Sequence, residues 1–261
     1  MTSLDPIVLA LTEFDRSIDI APHMQSVLRC VQAGRQAIVV VGATVRDEQK
    51  ALAQSNMLPL HTEQSVHAWV RTEPSRAAAG ALADALGATG LRARVADAGE
   101  IGPAVTGPTL DATPRSINAR AVFEAFRDAD VLIVAGGSGR SEDGRPAIVG
   151  DGSALLTAAF IAERLALELW AVAPEPATVP GGPDPAWTEV GSVVLPPITR
   201  PRIERRAALF VQRHGVRLRF IRDDLSWAGD FEPVRGIEPV GQEQPQRSAP
   251  RRIEHRLTRA G

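Results

Sequence analysis

This 261-residue chain has little lysine, little cysteine and little excess charge of either sign. Lys50 is its only lysine, the rest of its 29 Lys and Arg residues being arginine. A mechanism that needs an ammonium inside a pocket must therefore use Lys50 or do without, because an arginine fork does not take a lysine's place freely. Cys30 is the only cysteine, which excludes an internal disulfide framework and points to a reducing, cytoplasmic setting. Cys30 falls in a helical pattern and reads as a buried thiol rather than a nucleophile. A net charge of −2 gives no electrostatic case for nucleic acid. No apolar run approaches the length of a bilayer span, so no membrane association is expected. The N-terminus lacks the basic and apolar regions of a signal peptide. The histidines are scattered, and His61 and His67 have no Cys or Asp near them at ligand spacing, so no metal site is expected.

What is present suits one large α/β domain or two small ones: 44% hydrophobic residues, with 22 glycines and 20 prolines. Pro6–Leu11, Ala37–Val41 and Val131–Ala135 are short apolar runs rich in β-branched residues, the signature of strands covered on both faces. Ile20–Ala33 carries Met24, Val27, Leu28 and Val31 at helical spacing and ends at Gly34. Strand, helix and strand at this spacing make a crossover unit and hence a parallel sheet. Further helices are expected over Thr44–Leu58, Pro74–Leu86, Ser116–Phe126 (with Val122, Phe123 and Phe126 inward) and Pro201–His214. Leu91–Ala96, Trp170–Ala173 and Val216–Ile221 read as strands. His61–Val70 is ambiguous, Gly99–Thr113 reads as a loop, and the proline-rich Pro174–Pro185 has no regular structure. One domain over residues 1–227 is expected, followed by a Pro/Gly/Arg-rich disordered tail over 228–261.

The chain is organised around 130–165. A buried strand ends at Gly136, Gly137 and Gly139, where bare backbone N–H groups are available. Ser141–Gly144 is a turn, and Arg145–Val149 returns as a second short strand. Gly150-Asp151-Gly152-Ser153 then opens a helix, with Asp151 or Ser153 able to cap it, carrying Leu156, Ala159, Phe160, Leu165 and Leu167 on one face. Strand, glycine loop and helix N-terminus together suit a carboxylate or other anion; the plainer alternative is that the glycines only shape connections. Familiar nucleotide and nucleophile motifs are absent. No glycine is followed by the lysine of a P-loop. Gly137-Ser138-Gly139 lacks the third glycine of a dinucleotide fingerprint. Gly136-Gly137-Ser138-Gly139-Arg140 lacks the last glycine of a nucleophile elbow.

In order along the chain, AIVVVGATVRD, VLIVAGGSGRSEDGRPAIVGDGSALLTA and LPPITRPRIERRAALFVQRHGVRLRFI resemble successive segments of the amino-acid kinase family, and most of all the catalytic domain of aspartokinases. The resemblance runs from about Ile7 to Ile221. It implies a three-layer αβα sandwich with a mainly parallel sheet, and ligands held along the carboxyl edge of the strands. It also implies ATP-dependent transfer of phosphate to a carboxylate, and a homodimer. Carried over residue by residue, it names Gly42, Gly136, Gly137, Gly139, Gly150, Asp151, Gly152, Ser153 and Thr157 as ligand-binding candidates.

The departures from the family pattern bear on chemistry. Where aspartokinases open with K-F-G-G-T-S-V, this chain has Thr12, Glu13, Phe14, Asp15, Arg16, Ser17 and Ile18. In the G-R-G-G-S-D-T-T-A loop the arginine becomes Asp151 and the Ser-Asp pair becomes Ala154-Leu155. The T-D-V-D-G segment is replaced by the prolines after Ala173. Phosphoryl transfer depends on positioned positive charge, which Thr12 cannot supply and which Glu13 and Asp15 oppose. The expectation is therefore a pseudoenzyme with no catalytic residues, kept as a small-molecule-binding or partner-protein subunit. The alternative is a divergent kinase, an aspartokinase-like transferase, that uses ATP and Mg²⁺ with Arg16 or Arg46 in the lysine's role. Leu155 and Leu156 beside the loop predict a ligand less polar than aspartate, or else a loop closed over buried leucines.

Overall fold

The computed structural model describes residues 4–14, 21–150, 152–172, 205–221 and 227–230. Its frame is a seven-stranded sheet. β1 (Leu4–Phe14), β2 (Arg35–Ala43), β3 (Ala93–Ala96), β6 (Val131–Ala135), β9 (Glu168–Val172) and β10 (Leu218–Ile221) lie parallel in the order β10-β9-β1-β2-β6-β3. β11 (Trp227–Asp230) adds an antiparallel edge beside β10. A second sheet of four short strands runs β5-β4-β7-β8, from β4 (Ala104–Thr106), β5 (Thr113–Ser116), β7 (Ser138–Arg140) and β8 (Pro146–Ile148).

The central strands are apolar and buried through residues 7–11, 37–41 and 131–135 because both faces are covered there. Alternate residues point to opposite layers. Ile7, Leu9, Val39, Val41 and Ile133 pack on α1 (Ala21–Gln32) and α3 (Gln64–Ala88) through Val27, Cys30, Ala79 and Leu82. Val8, Ile38, Val40, Leu132 and Leu169 pack in the other layer on α4 (Ala119–Ala125), α5 (Ala154–Leu165) and α6 (Arg205–His214), through Val122, Ala158, Ile161 and Ala207. The expected three-layer αβα sandwich with a mainly parallel sheet is therefore present. α2 (Val45–Asn56) leaves β2 directly, its first turn capped by the Thr44 hydroxyl, which accepts from the Asp47 N–H at 3.2 Å. Such a cap is worth about 1 kcal/mol.

Several elements differ from the sequence expectation for local reasons. α3 begins at Gln64 and runs unbroken through Pro74, so it absorbs most of the ambiguous stretch. The expected loop over Gly99–Thr113 contains β4 and the first residue of β5. Ser138–Arg140, read as glycine turn, is a strand instead, because its backbone pairs with Pro146–Ile148. Phe123 does not face inward: it is half exposed, while Val122 and Phe126 are buried. α5 ends at Leu165 with Ala166 in a left-handed conformation, which puts Leu167 beyond the helix. The sheet reaches Asp230, three residues past the expected boundary. Pro174–Pro185 and the rest of the tail lie outside the described residues.

Candidate functional site

Open parallel sheets bind ligands outside the carboxyl ends of their strands. At that edge β6 runs into Gly136 and Gly137, and the α5 N-terminus meets them. A side chain at Gly136 would place its Cβ 2.4 Å from the Ala154 Cβ, and one at Gly137 would sit 2.2 Å from the Gly152 carbonyl oxygen. Gly137 also has a φ of +70°, which L side chains rarely adopt. The two glycine loops therefore lie on one edge and touch. Gly137 donates its N–H to the Thr157 hydroxyl at 3.0 Å, and that hydroxyl donates to the Ser153 carbonyl at 2.9 Å. The Ser153 hydroxyl caps α5, accepting from the Leu156 N–H at 2.9 Å.

The nine expected site residues separate into groups. Gly136 and Gly152 line a cleft of about 200 Å³ between α2, α3 and the loop, completed by Val45, Glu48, Leu52, Arg71, Thr72 and Ser75. Gly139 lines a different cleft, on the other flank of α3. Gly42 and Gly137 are packing positions: a Cβ at Gly42 would lie 2.7 Å from the Thr12 carbonyl oxygen and 2.9 Å from the Ala154 Cβ. Gly150 turns with φ +55° against Leu156. Ser153 and Thr157 are buried with their hydroxyls engaged in the bonds above, and Leu155 and Leu156 are buried core residues. Asp151 lies outside the described residues, as do Asp15, Arg16 and Ser17. Thus the loop itself is closed over its leucines, and the open space lies beside it, under α2 and α3.

The sequence reading missed Arg71, Thr72 and Ser75. Their spacing of one and four residues puts them on a single helical face, in an otherwise alanine-rich helix; that polar stripe was the available signal. Among the described residues, Arg71 and Glu48 are the charged residues of this cleft. Val45, Leu52 and Ile148 make much of the rest of its lining apolar. Lys50 does not line either cleft; it is largely exposed on α2 and ion-paired to Asp47 at 3.1 Å. Arg46 is exposed in the first turn of the same helix. No cluster of metal-ligating side chains occurs among the described residues, and none of their helices is long and apolar enough to cross a membrane.

Comparison with solved structures finds the same architecture. Aspartokinase III from E. coli, in complex with aspartate and ADP, superposes with a TM-score of 0.65 at 13% identity, over 88% of this chain and 65% of that one. Aspartate kinase from Synechocystis matches with a TM-score of 0.62 at 18% identity, over 91% of this chain and 42% of that one. The chain thus spans less than two thirds of the length of these aspartokinases. An isopentenyl phosphate kinase matches with a TM-score of 0.54 at 13% identity, over 84% of this chain and 92% of that one. No curated protein sequence matches. The sequence model of the amino acid kinase family matches residues 10–172, well over half of the chain, and the chain belongs to that family.

Proposed function

We propose that this protein is a non-catalytic binding member of its family, a pseudoenzyme whose cleft between α2, α3 and Gly136 holds a small ligand less polar than aspartate. The observation that carries this reading is the charge of that cleft. Among the described residues its lining offers one cation, Arg71, and one carboxylate, Glu48, so their charges cancel where a phosphoryl-transfer site needs concentrated positive charge. The chain's single lysine is on the exposed face of α2 and already paired. Thr12 and Glu13 stand at the end of β1 where a phosphate-binding loop is required. Val45, Leu52 and Ile148 favour an apolar body on the ligand. A homodimer or a complex with a partner protein, in the cytoplasm, completes the proposal.

A second reading has one observation in its favour: Arg71 faces the cleft and is a guanidinium at a place where a phosphate or carboxylate would fit. It makes the protein a divergent kinase acting on a carboxylate with ATP and Mg²⁺. The two readings separate in one experiment. The protein is incubated with ATP, Mg²⁺ and a panel of amino acids and short carboxylic acids, and acyl phosphate is trapped as hydroxamate. The binding reading expects none above background. Hydroxamate that forms with the native chain and disappears with Arg71→Gln or Arg46→Gln overturns it.

A further inference from the structure

The other flank of α3 carries a second cleft, of about 150 Å³, that the proposed function does not use. Trp69 and Arg76 face it from two turns apart on α3. The Arg76 guanidinium carbon lies 3.4 Å from the Trp69 ring centroid, a cation–π stack that fixes the plane of the fork. Arg76 donates to the Thr72 hydroxyl at 3.0 Å and to the Trp69 carbonyl at 2.9 Å. A guanidinium has five N–H donors, so among the described residues more than half of them are uncommitted.

Arg140, on β7, forms the opposite wall, and its charge is already matched. It reaches Asp97 at the end of β3 with contacts of 3.0 and 3.1 Å to one carboxylate oxygen, and it donates to the Gly144 carbonyl at 2.8 Å. Burial raises the Asp97 carboxyl, but bonds from the Gly99 N–H and Arg140 outweigh that and hold it below the usual carboxylate range. Gly99 makes the approach possible, since a Cβ there would lie 2.5 Å from Arg140 Nε. With Arg140 and Asp97 neutralising each other, the lining keeps, among the described residues, a net single positive charge, at Arg76. Burial pulls that guanidinium below its ordinary value; the Glu73 and Asp97 carboxylates offset this in part, while the Arg140 cation adds to it, and an anion would relieve the remaining cost. Val95, Ala96, Ala135 and Pro146 make much of the lining apolar, and Ser138 lines it too.

We propose that this cleft is a second ligand site, taking a small monocarboxylate on a flat apolar body, with the carboxylate on Arg76. A single net positive charge fits a carboxylate better than a phosphate dianion, and a planar fork suits its two oxygens. The volume suits a single ring and is below that of ordinary nucleotide-sized pockets. The site is separate from the first cleft, although Thr72 lines the first and bonds to Arg76 of the second.

Benzoate is the probe and benzamide its neutral isostere, titrated by calorimetry into the full chain. Benzoate is expected to bind saturably in the millimolar range or tighter, and benzamide at least about tenfold more weakly. Arg76→Gln is expected to weaken benzoate at least about tenfold, whereas Arg71→Gln, in the first cleft, leaves it unchanged. Val95→Glu is a second variant, at an exposed edge position where folding is not at stake, and it is expected to abolish binding by placing a carboxylate in the lining. No saturable benzoate binding, equal binding of benzamide, unchanged binding in Arg76→Gln or Val95→Glu, or a loss seen in Arg71→Gln instead, each overturns the proposal.

Discussion

Replacing Gly137 and Gly152 separately by alanine tests whether the two glycine loops are locked together as described. Both have positive φ, +70° and +95°, so each alanine carries backbone strain of about 1–2 kcal/mol. They differ in the space around them. A Cβ at Gly137 would lie 2.2 Å from the carbonyl oxygen and 2.5 Å from the Cα of Gly152, both backbone atoms that cannot turn aside, whereas a Cβ at Gly152 meets nothing within 4 Å. Overpacking of that kind adds about 1–3 kcal/mol. Gly137→Ala should therefore cost about 2–5 kcal/mol, and Gly152→Ala about 1–2 kcal/mol. Urea denaturation followed by circular dichroism gives the ranking from midpoints and slopes. The reasoning is refuted if the two variants lose the same stability, or if Gly152→Ala is the worse.

Other outcomes follow from single contacts. Thr157→Val keeps the shape of a buried residue but removes the acceptor for the Gly137 N–H; it should cost about 1–3 kcal/mol in the same denaturation assay, and an unchanged midpoint would show that bond to be dispensable. Cys30 is buried in the α1 layer, and burial pushes its thiol up to about 11, offset in part by the Arg35 cation. Because the folded value lies above the ordinary one, the thiol contributes stability that is whole below about pH 9 and is lost as pH rises toward about 11. A thiol reagent at pH 8 should therefore label native Cys30 only at the rate of unfolding, and rapid labelling of the native protein would contradict the placement. A chain ended at Gly241 should melt as cooperatively as the full one, since the remaining residues are rich in Pro, Gln and Arg and poor in apolar side chains; loss of the transition would show otherwise.

The sheet was legible where one physical demand dominated. Ala37–Val41 and Val131–Ala135 are buried on both faces, so nothing but apolar, mostly β-branched side chains fits, and the run announces itself. Ser138–Arg140 carries no such signal: its strand exists because β8 lies beside it, a partner that short-range pattern cannot supply. Phe123 shows the same limit on a helix of seven residues, too short for its period to fix which of two adjacent residues turns inward. The glycines of the candidate site could be read because their backbone geometry demands them. The side chains that line the open space could not. Arg71, Thr72 and Ser75 stand more than sixty residues before Gly136, on a helix whose rotation about its axis is set by packing against the sheet through Ala78, Ala79 and Leu82. The buried leucines at 155 and 156 were visible as a change of polarity, but whether they lined a pocket or filled a core depended on the helix behind them.

The central claim is that this member of the family has a ligand cleft without the charge that holds and transfers a phosphoryl group. Calorimetric titration of Mg-ATP into the full chain tests it most directly. The account predicts no saturable heat, or binding no tighter than about 1 mM; a dissociation constant in the micromolar range would contradict it.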